Sequence, residues 1–167
     1  MSLIKPAALL TRADEAEVLN VGATTMWLLA DADATGGAVN ANRAILEPGT
    51  DGPPPHYHSG SAEIFFVLGG SLRVLAGDRV VTLDEGDFLM VPRNVPHAFA
   101  TPPEVGADLL VVFAPGLKER FEYFRLGERV LKGEAGPEEI LNSQERFDNH
   151  FVEHPLWQGG RTEVTTR

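Results

Sequence analysis

The sequence predicts an all-β barrel or sandwich followed by two amphipathic helices. Three observations carry this. From about Thr24 to Ala114 the chain breaks into short apolar runs separated by Gly, Pro, Asn and Asp, the spacing of antiparallel strands folded on one another. No helical pattern alternates with those runs, so βαβ units are not expected. After Ala114-Pro115-Gly116 the apolar period lengthens from two toward 3.6.

Taken in order, the expected strands are 24–30, 42–47, 63–69, 71–76, 79–83, 87–92, 97–100 and 108–114. Gly69-Gly70 and Gly77-Asp78 read as hairpin connections. Residues 117–131 place Leu117, Phe121 and Phe124 near helical spacing. Residues 137–151 open with Pro and two glutamates, which suit the first turn of a helix, and set Ile140, Phe147 and Phe151 on one side. The expected organisation is a single domain over 1–167, with a β core at about 24–114. A helical extension at about 117–151 and a flexible tail at 158–167 complete it.

Composition narrows the function classes. A net charge of −10, from 24 acids against 14 bases, argues against a nucleic-acid partner. No apolar run approaches the roughly 20 residues that span a bilayer, and the N-terminus lacks signal-peptide features, so a cytoplasmic protein with no membrane partner is expected. The chain has no cysteine. Histidine and carboxylate are therefore its strong metal ligands.

Of five histidines, two stand one residue apart in "PPPHYHSGSAEIFFVLGG". In an extended backbone His56 and His58 point to the same face, a simple way to offer two imidazoles to one ion. Glu63 shares a face with Phe65 and Val67, while Ile64, Phe66 and Leu68 take the other. Both faces are apolar, so this strand is expected to be covered on both sides, by the C-terminal helices or by a second subunit. A carboxylate on such a face needs a positive partner. His97 opens another strand after "PRNVP" and shares its face with Phe99. His56, His58, Glu63 and His97 thus form a candidate four-ligand cluster. His150 and His154, four apart, could share a helix face, but Pro155 ends that helix and no third ligand accompanies them.

These residues resemble the two motifs of the cupin superfamily. His56, His58, Glu63 and Gly70 fit the first motif, with Gly49 one step further upstream than usual; Gly86, Pro92 and His97 fit the second. Asn94 replaces a usual glycine and Thr101 a usual asparagine; neither position is a ligand. The resemblance covers roughly residues 40–114. It implies a cupin-type β-barrel (jelly-roll sandwich) holding one divalent transition metal ion, with iron, nickel, manganese, copper and zinc not distinguished by this ligand set.

Within the superfamily the chain looks similar to small quercetinases, which are flavonol dioxygenases. "GPPPHYH", "GDFLMVPRNVPHAF" and "LLVVFAPGLKERFEYF" carry that likeness. It implies an oxidoreductase acting on an aromatic or enolisable hydroxy-ketone with dioxygen, Glu63 taking the substrate proton. Phe65 and Phe99 would flank the substrate or simply fill the core. Phe113, Phe121 and Phe124 would form a lid or pack the helix down. By the same analogy a homodimer is expected. Two alternatives stay open: a metal-dependent isomerase or lyase of sugars or keto acids, and a non-catalytic module that binds a small ligand or metal.

Overall fold

The structure is a computed structural model that describes residues 7–158. The tail expected at 158–167 lies, apart from Gln158, outside the described residues. Ten strands and three helices follow one another as β1 (Glu17–Val21), β2 (Thr24–Ala30), β3 (Asn40–Leu46), β4 (His56–Tyr57), β5 (Ala62–Ala76), β6 (Arg79–Asp84), β7 (Phe88–Val91), β8 (His97–Ala100), β9 (Ala107–Ala114), α1 (Arg120–Leu131), α2 (Pro137–Asn142), α3 (Gln144–Phe147) and β10 (His150–Phe151). The strands pair antiparallel in the order β1-β2-β3-β9-β5-β8-β4-β10, with β6 and β7 also on β5. The result is the all-β barrel expected from the sequence, with helices near its C-terminal end.

The organising strand is β5. Its first half lies between β7 and β9, and its second half between β6 and β8. Gly69-Gly70 is therefore not the hairpin that its composition suggests but a bend inside one fifteen-residue strand. Gly70 takes φ 77°, and a Cβ there would collide with the Gly106 carbonyl, so glycine is required where the strand turns from one half of the barrel to the other. Gly77-Asp78 is the expected two-residue hairpin, joining Ala76 to Arg79 across the pair.

Inward-facing residues alternate along the strands and meet as one core that includes Leu46, Phe65, Val67, Leu72, Val74, Leu109 and Phe113. On β5 the buried face is Glu63, Phe65 and Val67, as the alternation predicts. The opposite face differs from expectation. Phe66 is 37% and Leu68 42% exposed, and Phe88 and Met90, across the pair on β7, are 63% and 50% exposed. The C-terminal helices do not cover this face. Helix α1 packs instead on β1, which the strand pattern had not included. Arg125 there grips the Glu17 carboxylate with Nε at 3.0 Å and Nη2 at 2.6 Å, and Glu128 accepts the Asn20 amide at 2.8 Å.

The expected helix over 117–131 begins at Arg120, since Glu119 is left-handed (φ 56°) and Leu117 spends its amide on Asn40 Oδ1 at 2.6 Å. The second expected helix, 137–151, splits into α2 and α3 around Ser143 and stops at Asp148, φ 48°. His150 and Phe151 then run as a strand on β4. No helix among the described residues is long and apolar enough to cross a membrane.

Candidate metal centre

The ligand atoms of His56, His58, Glu63 and His97 all lie within 4.8 Å of one another, and all four residues are buried. Two strand pairings bring them together. His56 on β4 sits directly opposite His97 on β8. Glu63 opens the inner face of β5, and Ser59-Gly60-Ser61 carries the chain from His58 to it. Among the described residues these four are the one such group of three or more His, Asp or Glu side chains.

Each imidazole is aimed by a backbone carbonyl. Nδ1 of His56 donates to Pro54 O at 2.8 Å, that of His58 to Asp148 O at 2.6 Å, and that of His97 to Val95 O at 3.0 Å. A carbonyl only accepts, so Nδ1 carries the hydrogen in all three rings and Nε2 is left as the inward nitrogen. Such outer hydrogen bonds fix tautomer and ring orientation in metal-binding histidines.

Glu63 Oε2 lies 3.1 Å from His58 Nε2 and 2.6 Å from His97 Nε2. In a neutral ring that nitrogen is a bare lone pair, which repels a carboxylate oxygen. A positive species must stand between them, either a proton or a metal ion. Burial opposes charge on His97, but Glu63 outweighs it and raises the ring above the usual imidazole range. Burial likewise opposes charge on Glu63, and its neighbours His97 and His58 win, holding its carboxyl well below the usual range. His56 is pushed well below by burial and by the charge of His97, and His58 is pushed below by burial. Three convergent Nε2 atoms and one carboxylate fit a divalent transition metal.

Two members of the cluster, His56 and Glu63, line a cavity of about 450 Å³. Phe99, Phe113, Tyr123 and Phe124 supply aromatic walls. Phe65, expected beside the substrate, is fully buried in the core and does not line this cavity; it packs edge-on to Phe99 at 5.6 Å. Phe121 is also core, so of the three phenylalanines considered for a lid, Phe113 and Phe124 reach the cavity.

His150 and His154 do not share a helix face. His150 stacks on Tyr57 at 5.0 Å and bonds Asp148 Oδ1 at 2.9 Å, while His154 Nδ1 accepts the Leu156 amide at 3.3 Å. Sequence reasoning missed Asp148 and Arg120. The Asp148 carboxylate takes Ser59 N at 2.9 Å, Ser59 Oγ at 2.6 Å and Gly60 N at 2.7 Å, binding the ligand loop to the C-terminal segment. Arg120 lines the cavity while almost wholly buried. The available signal was a cation on the same helical side as Leu117, Phe121 and Phe124.

Residues 42–113 match the cupin domain family. Over 66 residues, 40% of the chain, the sequence is 33% identical to quercetin 2,3-dioxygenase of Bacillus subtilis, and that stretch is only 19% of the Bacillus protein. An RmlC-like cupin from Shewanella frigidimarina superposes with a TM-score of 0.59 at 22% identity, covering 69% of this chain and 96% of that one. The polyketide cyclase RemF from Streptomyces resistomycificus gives 0.56 at 22% identity, covering 73% and 96%. At that distance the two structures speak for the fold alone. Barrel, motifs and matched segment agree over the central strands: residues 42–113 match a cupin domain, part of that stretch is similar to a quercetinase, and the fold is that of solved cupins.

Proposed function

We propose that this chain is a metal-dependent dioxygenase acting on an aromatic or enolisable hydroxy-ketone, with His56, His58, Glu63 and His97 holding one divalent transition metal ion. The observation that carries the proposal is that this donor set reaches an aromatic-walled cavity through His56 and Glu63. When bound, such an ion supplies Lewis acidity toward a substrate oxygen and, if redox-active, electron transfer with dioxygen. The protein's own part is positioning and proton handling. The walls exclude water and hold a flat apolar body. Both imidazole contacts of Glu63 fall on Oε2, and no hydrogen bond from a described residue falls on Oε1. That second oxygen is the one proposed to take the proton from the substrate's acidic hydroxyl. The mostly apolar lining offers few partners to a sugar's hydroxyls, which favours this reading over a sugar isomerase or lyase.

The whole chain is proposed to act as one domain and as a homodimer. The exposed Phe66, Leu68, Phe88 and Met90 lie side by side on one sheet face, a patch that a second copy would bury. Elemental analysis of purified protein, then oxygen uptake with a panel of flavonols and diketones on metal-replete samples, tests the catalytic reading. Uptake with turnover supports it. Binding without turnover, or conversion of sugars instead, overturns it.

A further inference from the structure

Arg120 is the first residue of α1 and only 3% exposed. A buried cation ordinarily has a carboxylate partner, because desolvation costs several kcal/mol by order of magnitude. Among the described residues none forms an ion pair with it. Its guanidinium is instead enclosed by the rings of Phe113, Tyr123 and Phe124, at 4.5, 4.7 and 5.0 Å from their centroids. Nη1 and Nη2 both reach Asn149 Oδ1, each at a long 3.3 Å. Nε has no hydrogen-bond partner. The end of the fork is thus loosely filled, while the edge formed by Nε and a neighbouring Nη has no acceptor on Nε. That edge presents two parallel N–H groups, the spacing that suits the two oxygens of one carboxylate.

The surroundings favour an anion. Arg120 sits at the positive end of the α1 dipole. Glu63 and Asp148 act on Arg120 electrostatically without forming an ion pair with it, and both are committed elsewhere, Glu63 to His58 and His97 and Asp148 to Ser59 and Gly60; Asp51 also lines the cavity but is exposed. Two further lining atoms, Asn42 Oδ1 and Thr50 Oγ1, are buried without a partner. Unpaired polar atoms of this kind are uncommon in protein interiors, and these two leave room for polar groups of a bound molecule or of water. Most of the remaining wall is apolar.

We propose that Arg120 is a carboxylate-recognising residue of this cavity, and that the natural ligand is an apolar, aromatic-bodied molecule bearing a carboxylate in addition to the oxygen that faces Glu63. This rests on the reading of the cavity as the substrate site. Arg120 clamps the carboxylate through its open edge and so fixes how the apolar body lies against Phe99, Phe113 and Phe124. A neutral molecule of the same shape leaves the cation unpaired and binds less well.

The test is calorimetric titration of the full chain with 2-naphthoate and with neutral 2-naphthamide, on EDTA-treated and on zinc-loaded protein. Both forms of the wild type are expected to prefer the carboxylate by about tenfold or more. Arg120→Met is expected to abolish the preference by weakening 2-naphthoate binding, and Arg120→Lys to retain part of it. Equal binding of the two probes by the wild type overturns the proposal. So does a preference confined to zinc-loaded protein that survives Arg120→Met, which would make the metal the anion receptor. If Arg120→Met does not fold, the comparison of probes on EDTA-treated wild type and on Arg120→Lys decides. A protein that binds no metal and consumes no oxygen, yet shows an Arg120-dependent preference, would refute the dioxygenase reading and leave this one standing.

Discussion

Replacing Asp148 by asparagine isolates the strap between the C-terminal segment and the loop that carries His58. In the wild type one carboxylate serves Ser59 N, Ser59 Oγ and Gly60 N at 2.9, 2.6 and 2.7 Å, and His150 Nε2 at 2.9 Å. An asparagine has one acceptor oxygen, so whichever way the amide sits, either the Ser59 or the Gly60 amide faces an NH₂ group. One hydrogen bond to a charged group is lost outright, and those that remain weaken from charge-assisted to neutral. Bonds to charged groups contribute about 1.5–3 kcal/mol each. Ser59 and Gly60 are exposed, so values at the lower end apply, and the whole substitution should cost about 2–3 kcal/mol. In a chain of this size that corresponds to a fall of about 5–10 °C in Tm. The assay is urea and thermal unfolding of EDTA-treated protein, which keeps metal affinity out of the reading. An unfolding free energy within about 0.5 kcal/mol of wild type, the spread of ordinary surface substitutions, would refute the argument that this carboxylate holds the strap.

Four further outcomes are expected. His97→Ala and Glu63→Gln should each lower bound metal, read by elemental analysis after gel filtration, by at least about tenfold, because each removes a ligand from the set. Gly70→Ala should destabilise the protein by more than about 3 kcal/mol in urea, the left-handed backbone and the Gly106 carbonyl both refusing a methyl group. Phe88→Glu with Met90→Glu should convert a dimer to a monomer by light scattering without loss of the far-UV spectrum; an unchanged mass would remove this face as the interface. Glu17 is held below the usual carboxylate range chiefly by its hydrogen bond from Arg125. Its contribution is therefore present above about pH 4.3, the unfolded value, and fades as pH falls through the lowered one. Glu17→Gln should cost about 1 kcal/mol or less at pH 7, given how exposed the pair is, and nothing once Glu17 is protonated.

The central strands and the meeting of His56, His58, Glu63 and His97 are legible in the sequence because a strand's period of two ties side-chain direction to residue number. Where that rule is interrupted, legibility ends. Gly69-Gly70 has the composition of a turn, yet the barrel uses it as a bend, and only the approach of Gly106 reveals the difference. Residues 137–151 have helical spacing, but Asp148 spends its carboxylate on Ser59 and Gly60, and His150 and Phe151 pair with β4; both partners lie about ninety positions away. Phe65 and Phe99 look equivalent as neighbours of ligands, whereas one is core and the other lines the cavity. Arg120 is silent for a related reason. A cation beside apolar helix positions normally extends its head to water, and only the rings of Phe113, Tyr123 and Phe124 show that this one turns inward.

The Asp148 carbonyl that aims His58 has a consequence for protein engineering. A fragment cut to residues 42–113 would keep every proposed ligand and the whole family signature, yet would leave one imidazole ring free to spin and the cavity without its cation. Grafting the four ligand residues onto another barrel would inherit the same defect. What must travel with them is a distant carbonyl, delivered by the turn that ends α3, so the smallest transplantable unit of this site extends well past the motif that announces it.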